Sequence, residues 1–352
     1  MTGSMTGDDM PPAPVAFEVL EGGALTTVQD VGRPDWGHLG VPRSGAADPA
    51  SHAIANLLAG NPAHAAALEA TFVGPTLRAV DPVTVALSGA DLRARIRGGR
   101  ALAIGRSHHL AAGDIVEMPG DPSAGSDAGS RAYIAVAGGI EVPIVLGSRS
   151  TCLAGGFGGI DGRPLRSSDR IRVATGRDDT RRSAAPDLVW PRRDDAPRNG
   201  PTGGTGGPAI LRVLGGPHDG LDQLVGRAWR VAPAADRVGV RLDGPPLADG
   251  IGGEVTTQAV PWGAIQLPPD GRPIVLGVDH GVTGGYRMIG VVISADRPII
   301  GQLRPGAPVR LVRVDRETAL AALRAQQEAL VTGAAALRES AGWETLVHEA
   351  GS

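Results

Sequence analysis

LAAGDIVEM, residues 110–118, compresses the local logic of this chain into nine residues: a leucine, a tight turn on glycine and aspartate, then alternating apolar positions. The phrase returns as LRSSDRIRV at 165–173 and as LRPGAPVRL at 303–311. Alternation after a turn marks a strand, because successive strand side chains point to opposite faces. The three copies read either as one hairpin element reused in β-barrels or as a common turn-into-strand phrase.

Composition points the same way. With 53 glycines and 29 prolines beside an ordinary apolar fraction of 42%, the chain is predicted to be mainly β, with many short strands between tight turns. Strands are expected at 83–88, 133–137, 210–214, 273–278 and 289–294. Helices are few. Asp48 as N-cap and Pro49 at the first helical position open one through Leu58, stopped by Gly60. Asn61 and Pro62 predict a second reaching about Glu69, and 315–330 a third with Leu320, Leu323 and Leu330 on one face.

The 352 residues suggest two domains. Residues 1–14 read as a disordered leader, 15–176 as a first β unit, 177–207 as a flexible Arg/Asp- and Gly-rich linker, 208–314 as a second β unit, and 315–352 as a C-terminal helix and tail.

Thirty-four basic against 37 acidic residues leave no strong positive field, which argues against nucleic acid and membrane surfaces and for a small-molecule substrate or protein partners. Every basic residue is arginine. Without lysine there is no phosphate-loop lysine, no Schiff-base amine and no site for covalent biotin. The single cysteine, Cys152, forms no internal disulfide, the first residues lack a secretory pattern, and no apolar run nears the ~20 residues of a membrane span, so a cytoplasmic setting is expected.

No metal motif is present, and the adjacent His108 and His109 would face opposite ways on a strand. GGFGGIDG (155–162) offers the N–H groups of Gly155, Gly156, Gly158 and Gly159 either to tight turns or to an anion or oxyanion nest. WGAIQLPPDGRP (262–273) carries Gln266 into a turn at Asp270 and Gly271. VDHGVTGGYRMIG (278–290) crowds Asp279, His280, Thr283 and Tyr286 onto a loop leaving an apolar strand, where reactive groups tend to sit. His280 is a candidate general base, with Asp279 or another carboxylate orienting it and Tyr286 as a further catalytic candidate. HLGVPRSGAADP (38–49) places His38, Arg43 and Ser44 on a constrained loop, where Arg43 could hold a carboxylate in a bidentate fork. Gln266 and Thr283 complete the candidate substrate contacts.

Five segments, 26–49, 61–77, 146–165, 263–286 and 292–306, together resemble the biotin-dependent carboxyltransferase-like family. That family takes in KipA-type proteins (the 5-oxoprolinase C subunit), allophanate hydrolase subunit 2 and the carboxyltransferase part of urea carboxylase. The resemblance runs in order from about residue 17 to 314. It implies two cyclophilin-like β-barrel units, and as partners a KipI-type 5-oxoprolinase B subunit (also allophanate hydrolase subunit 1) and a separate A subunit. The implied reaction is ATP-dependent opening of 5-oxoproline to glutamate, with ATP bound by or shared with a partner and no covalent biotin on this chain. An allophanate hydrolase or urea carboxylase-type component, or a regulatory Kip-type subunit, is the alternative. The family's D-H-Q-T-T-G-G-Y-P-K pattern is met here by Gly281, Val282, Arg287 and Met288 at the departing positions, so the family's lysine is lost.

Overall fold

In the computed structural model, residues 13–121, 123–125, 128–174, 207–247 and 252–350 are described, with side chains through 339. The predicted linker at 177–207 lies, but for Gly207, outside the described residues, as do residues 1–12 of the expected leader. Ala13 and Pro14 belong to the fold instead: their carbonyls accept from the Arg172 guanidinium and the Val173 amide.

The first half holds ten strands in two five-stranded sheets. One runs in the order β10 (Arg170–Arg172), β1 (Val15–Glu21), β4 (Thr76–Ala79), β8 (Ile115–Glu117), β6 (Arg95–Ile96). The other runs β2 (Leu25–Gln29), β3 (Ala67–Thr71), β9 (Arg131–Val136), β5 (Val83–Gly89), β7 (Arg106–Leu110). Phe17, Val19, Leu68, Leu77, Val85, Leu87, Ile134 and Ile171 fill one core that both sheets share.

The second sheet is covered on its other side by α1 (Pro49–Leu58), which packs Ala55 and Leu58 onto Ala67, Ala86 and Ala135. Two covered faces explain why β3 and β9 are buried at every position. Ala67, Ala86 and Ala135 fall on the helix side, where their small side chains let α1 approach closely, while Ala70 and Ala132 face the shared core. The same alternation sets Glu69 and Tyr133 on that side, facing away from the shared core.

The second half is a closed barrel of seven strands. Its order is β11 (Ala209–Gly215), β18 (Pro308–Arg313), β12 (Ala228–Val231), β13 (Gly239–Asp243), β16 (Ile274–Leu276), β15 (Ala264–Leu267) and β17 (Thr283–Val292), with β17 pairing back to β11. β14 (Glu254–Ala259) extends the free end of β17. Trp229, Leu211, Leu242, Ile265, Val275 and Ile289 fill its interior. The short α2 (Leu221–Leu224) and α3 (Arg297–Gln302) flank it. A mainly β chain with few helices is therefore what folds.

All three copies of the opening phrase adopt one geometry. Gly113, Ser168 and Gly306 each have φ between 73° and 86°. Their amides donate to the carbonyls of Ala79, Val19 and Val231, whose own amides donate to Asp114, Asp169 and Ala307. The leucine that opens each copy is buried. None of the three is a hairpin, however. β7 and β8, on either side of the first turn, lie in different sheets, so the element is a corner that clips onto a neighbouring strand.

A positive φ is costly for any residue with a Cβ. Gly113 and Gly306 have open space around them, so Gly113→Ala or Gly306→Ala should destabilise by about 1–2 kcal/mol through backbone strain alone. Ser168→Gly should be neutral or stabilising by a few tenths of a kcal/mol. Urea midpoints for the three variants check the pattern, and no loss in the alanine variants would contradict it.

Two helix expectations change. Residues 61–66 form a turn and 67–71 a strand, not a second helix. Ala, Leu and Glu are good helix formers, but pairing with β2 on one side and β9 on the other overrides that preference. Asn61 anchors the turn, donating to the Val136 carbonyl and accepting from the Gly138 amide. The C-terminal helix α4 spans Arg316–Ala350, beyond the expected 330. Its Leu320 is exposed, and its buried contacts are Ala334 and Leu337, the latter packed with α1.

Candidate functional site

Where the two halves meet, a buried ionic network runs across the seam. Arg237, from the turn between β12 and β13, forks onto the Asp279 carboxylate at 2.7 and 3.0 Å, bonds Glu69 of β3, and donates to the Gly45 carbonyl at 2.8 Å. Glu69 also accepts from the Tyr133 hydroxyl at 2.7 Å and the Ala47 amide at 2.8 Å, with Arg131 3.5 Å away. Tyr133 in turn accepts from the Asp48 amide at 2.8 Å. Gln302 of α3 bonds Asp48 and the backbone of Ser130 and Arg131. Burial works against the Glu69 carboxylate, yet the guanidiniums of Arg237 and Arg131 outweigh it and hold its pKa below the ordinary value. Burial likewise works against the Arg237 charge, but Asp279 and Glu69 raise its pKa further still.

Asp279 is thus committed to Arg237, and the expectation that it orients His280 is corrected. The His280 ring bonds through Nδ1 to the Gly281 carbonyl at 2.7 Å. Only an Nδ1–H can donate there, which leaves Nε2 as the lone-pair nitrogen. Burial, reinforced by the Arg297 charge, lowers the His280 pKa from 6.5, so the ring is neutral at physiological pH. A backbone carbonyl therefore does the orienting that a carboxylate was expected to do.

Trp262 is buried against Ala47 and against Val278, two residues before His280. Two guanidiniums stand over its ring: Arg43 at 5.8 Å and Arg297, at the start of α3, at 5.0 Å from the centroid. The Arg43 loop is strapped down by bonds from the Arg33 amide to the Arg43 carbonyl, Gly45 to Gln29, and Ala46 to Asp30. Ser44 holds a φ of 55° there, and its buried hydroxyl has no hydrogen-bond partner.

The remaining expected residues fall elsewhere. Gln266 and Thr283 line a cleft of about 460 Å³ with Gly281, Val260 and Arg241. Gly281 links that cleft to His280. Gln266 Nε2 is buried without a partner. His38 is exposed and bonds the Asp35 carbonyl, stacked at 6.5 Å with Trp36. Tyr286 sits three residues along β17, opposite Glu254 of β14. Arg287 of the same strand has a buried Nε without a partner.

The glycine run is a packed turn. The amides of Gly156 and Gly159 donate to the carbonyls of Cys152 and Arg149, and those two N–H groups are unavailable to an anion. A Cβ at Gly158 would collide with the Ser150 carbonyl, and one at Gly159 with the Thr151 hydroxyl. Close chain approach accounts for these glycines. Among the described residues no cluster of three or more His, Cys, Asp or Glu could hold a metal, and no helix is long and apolar enough to cross a membrane.

The carboxyltransferase domain family model, subdomains A and B, matches residues 39–313, and so takes in both halves and the seam between them. The chain belongs to this family. It is 34% identical over 318 residues to the 5-oxoprolinase C subunit of Escherichia coli, covering 88% of this chain and 95% of that one. Urea amidolyase of Lachancea kluyveri is 30% identical over 91% of this chain, which spans 18% of that enzyme. The crystal structure of Kluyveromyces lactis urea carboxylase superposes with a TM-score of 0.77 at 29% identity, over 93% of this chain and 30% of that one. This carboxyltransferase-family chain thus shares its architecture with one component of a multi-chain enzyme and with parts of much longer enzymes.

Arg297 and Trp262 were not singled out from the sequence. The available signals were a tryptophan in a chain only 3% aromatic and an Arg-Pro pair opening a short helix.

The neutral histidines carry a pH consequence. His280 and the fully buried His52 both have pKa values lowered by burial below their ordinary 6.5. The unfolded chain therefore binds more protons below about 6.5, and stability is full above that pH and declines as pH falls through it. Thermal midpoints between pH 8 and 5 should show the decline beginning near 6.5. A His52→Gln, His280→Gln double variant should flatten it, and an unchanged slope in that variant would assign the acid sensitivity to other groups.

Proposed function

We propose that this chain is the C subunit of a heteromeric 5-oxoprolinase, which opens the 5-oxoproline lactam to glutamate at the expense of ATP. The partners are a KipI-type B subunit and an A subunit, and the chain is inactive alone. The observation that carries the reading is His280, a neutral imidazole oriented through Nδ1, with Nε2 left as the proton acceptor. In this reading ATP, bound by or shared with a partner, would phosphorylate the lactam oxygen and leave as ADP, and Nε2 takes a proton from water as its oxygen adds to the activated carbonyl carbon. The C–N bond then breaks with protonation of the nitrogen, and water releases phosphate from the resulting acyl phosphate to leave glutamate. Identity of 34% along 95% of the E. coli C subunit supports the choice.

In this reading ATP is bound by, or shared with, a partner subunit: this chain has no lysine for a phosphate loop, and two amides of its glycine run are spent on backbone carbonyls. Covalent biotin falls on none of this chain's residues. A cytoplasmic setting accompanies the reading.

A second reading, a carboxyltransferase component acting on a urea-like substrate, draws on the similarity to urea amidolyase. The test is to purify the chain with its B and A subunits and follow glutamate and ADP from 5-oxoproline and ATP. Glutamate and ADP formed in equal amounts, and only with all three components, supports the proposal. None from the complete complex sinks it. Assembly without turnover is what a regulatory Kip-type subunit would give.

A further inference from the structure

We propose that Arg43 and Arg297, one from each half of the molecule, form a two-armed carboxylate clamp over Trp262. The ligand held beside His280 is then a small organic acid and not a neutral amide or urea. The inference rests on the functional reading above and extends it to the ligand's charge and to two residues, Arg297 and Trp262, that the reading does not use.

Elsewhere in the fold, several half-buried and buried arginines meet carboxylates: Arg237 meets Glu69 and Asp279, Arg131 meets Glu69, Arg212 meets Asp296, and Arg163 meets Asp169. Arg43 and Arg297 form no ion pair among the described residues, although both are half-buried. Each donates one N–H to a backbone carbonyl, Arg43 to Val31 at 3.3 Å and Arg297 to Trp262 at 3.2 Å. The rest of each five-donor fork is left over. Burial lowers the pKa of both, the Asp35 carboxylate offsetting it only in part at Arg43, and the charge of Arg43 lowers that of Arg297 further. Two like charges brought together and partly stripped of water are unfavourable unless an anion joins them.

Three further features make a built site. Arg297 Nε and Trp262 Nε1 are buried donors with no partner. The indole ring supplies an apolar wall for a ligand's carbon skeleton. Both arms are fixed: Arg43 by its strapped loop, and Arg297 by its place at the first position of α3, followed by Pro298. A planar guanidinium matches a planar carboxylate in a bidentate fork, which selects for a carboxylate.

Calorimetric titration of the purified full chain at low ionic strength, with 5-oxoproline, 2-pyrrolidone, urea and inorganic phosphate as probes, tests the clamp. 2-Pyrrolidone is the same lactam without the acid. The expected result is saturable binding of 5-oxoproline, with 2-pyrrolidone and urea at least tenfold weaker. Arg43→Gln and Arg297→Gln should each weaken 5-oxoproline by roughly 10- to 100-fold, as loss of a charge-assisted contact implies, and leave 2-pyrrolidone unchanged. Arg297→Lys should recover part of the loss. Should Arg297→Gln lower the melting temperature, Arg43→Gln, on the outer loop, decides.

Equal binding of 2-pyrrolidone and 5-oxoproline, tighter binding of phosphate, no saturable binding of 5-oxoproline, or unaltered affinity in folded Arg43→Gln would each overturn the clamp. A complete complex that binds 5-oxoproline in an arginine-dependent way yet forms no glutamate would sink the 5-oxoprolinase reading and leave the clamp standing.

Discussion

Arg237→Ala should destabilise the protein by about 3–5 kcal/mol, the loss expected when one partner of a buried ion pair is removed. Arg237 is 5% exposed, Glu69 1% and Asp279 8%, so its removal strands two carboxylates away from water. It also unties the Gly45 carbonyl and with it the loop that carries Arg43. Glu69 sits in a strand of the first half, and Arg237 and Asp279 in the second, so the loss should appear as one cooperative unfolding of both halves at a lower urea midpoint. Removing charge from both sides should cost less than the sum of the single changes. Arg237→Met combined with Asp279→Asn leaves Glu69 paired with Arg131 and no carboxylate stranded, and should recover most of the stability. A loss under about 1 kcal/mol for Arg237→Ala would mean that the network is solvated and does not join the halves.

His280→Gln in the assembled complex should reduce turnover by about 10²- to 10⁴-fold, the range set by loss of a positioned general base. Glutamine can still donate to the Gly281 carbonyl, so the loop should keep its shape and the melting temperature at pH 8 should change little. Two readouts separate a base from a mere packing residue. In the wild type the acid limb of kcat/KM should fall below 6.5, because burial lowers the His280 pKa. In the variant that limb should vanish with the lost rate, while the KM for 5-oxoproline stays near its wild-type value. An acid limb that persists in His280→Gln would assign the titrating base to another group.

Much of the architecture was legible because it is local. The Leu–turn–strand phrase recurs with its left-handed third turn position as Gly113, Ser168 or Gly306, and each copy folds alike. Asp48 caps α1 as its spacing from Ser51 requires, with the Ser51 amide donating to its carboxylate at 3.0 Å. By contrast, AALEAT at 66–71 reads as a helix from its propensities and folds as a strand, because its partners lie far along the chain. Whether the phrase formed hairpins or corners was equally hidden, since that depends on which sheet receives each strand.

The candidate site divides along the same line. His280 and Arg43 were legible as a histidine and an arginine on punctuated loops, where reactive groups tend to sit. What holds them was not. Asp279 adjoins His280 in sequence yet spends its charge on Arg237, 42 residues away, and Arg237 reaches Glu69 across 168. Arg297 and Trp262 become neighbours of Arg43 only when the halves meet.

By itself the sequence determined the family, the mainly β character, the capped helix and the chemistries that a chain without lysine cannot perform. Those follow from local backbone preference and from which functional groups exist at all. The tertiary structure alone decided that β17 closes onto β11, that Glu69 belongs to a strand, and that Asp279 serves the seam and not the histidine. It also decided that two arginines outside any ion pair among the described residues share one indole. Those outcomes depend on burial and on distances between groups remote in sequence, and charge pairing in a dry interior is settled only by which groups arrive there together.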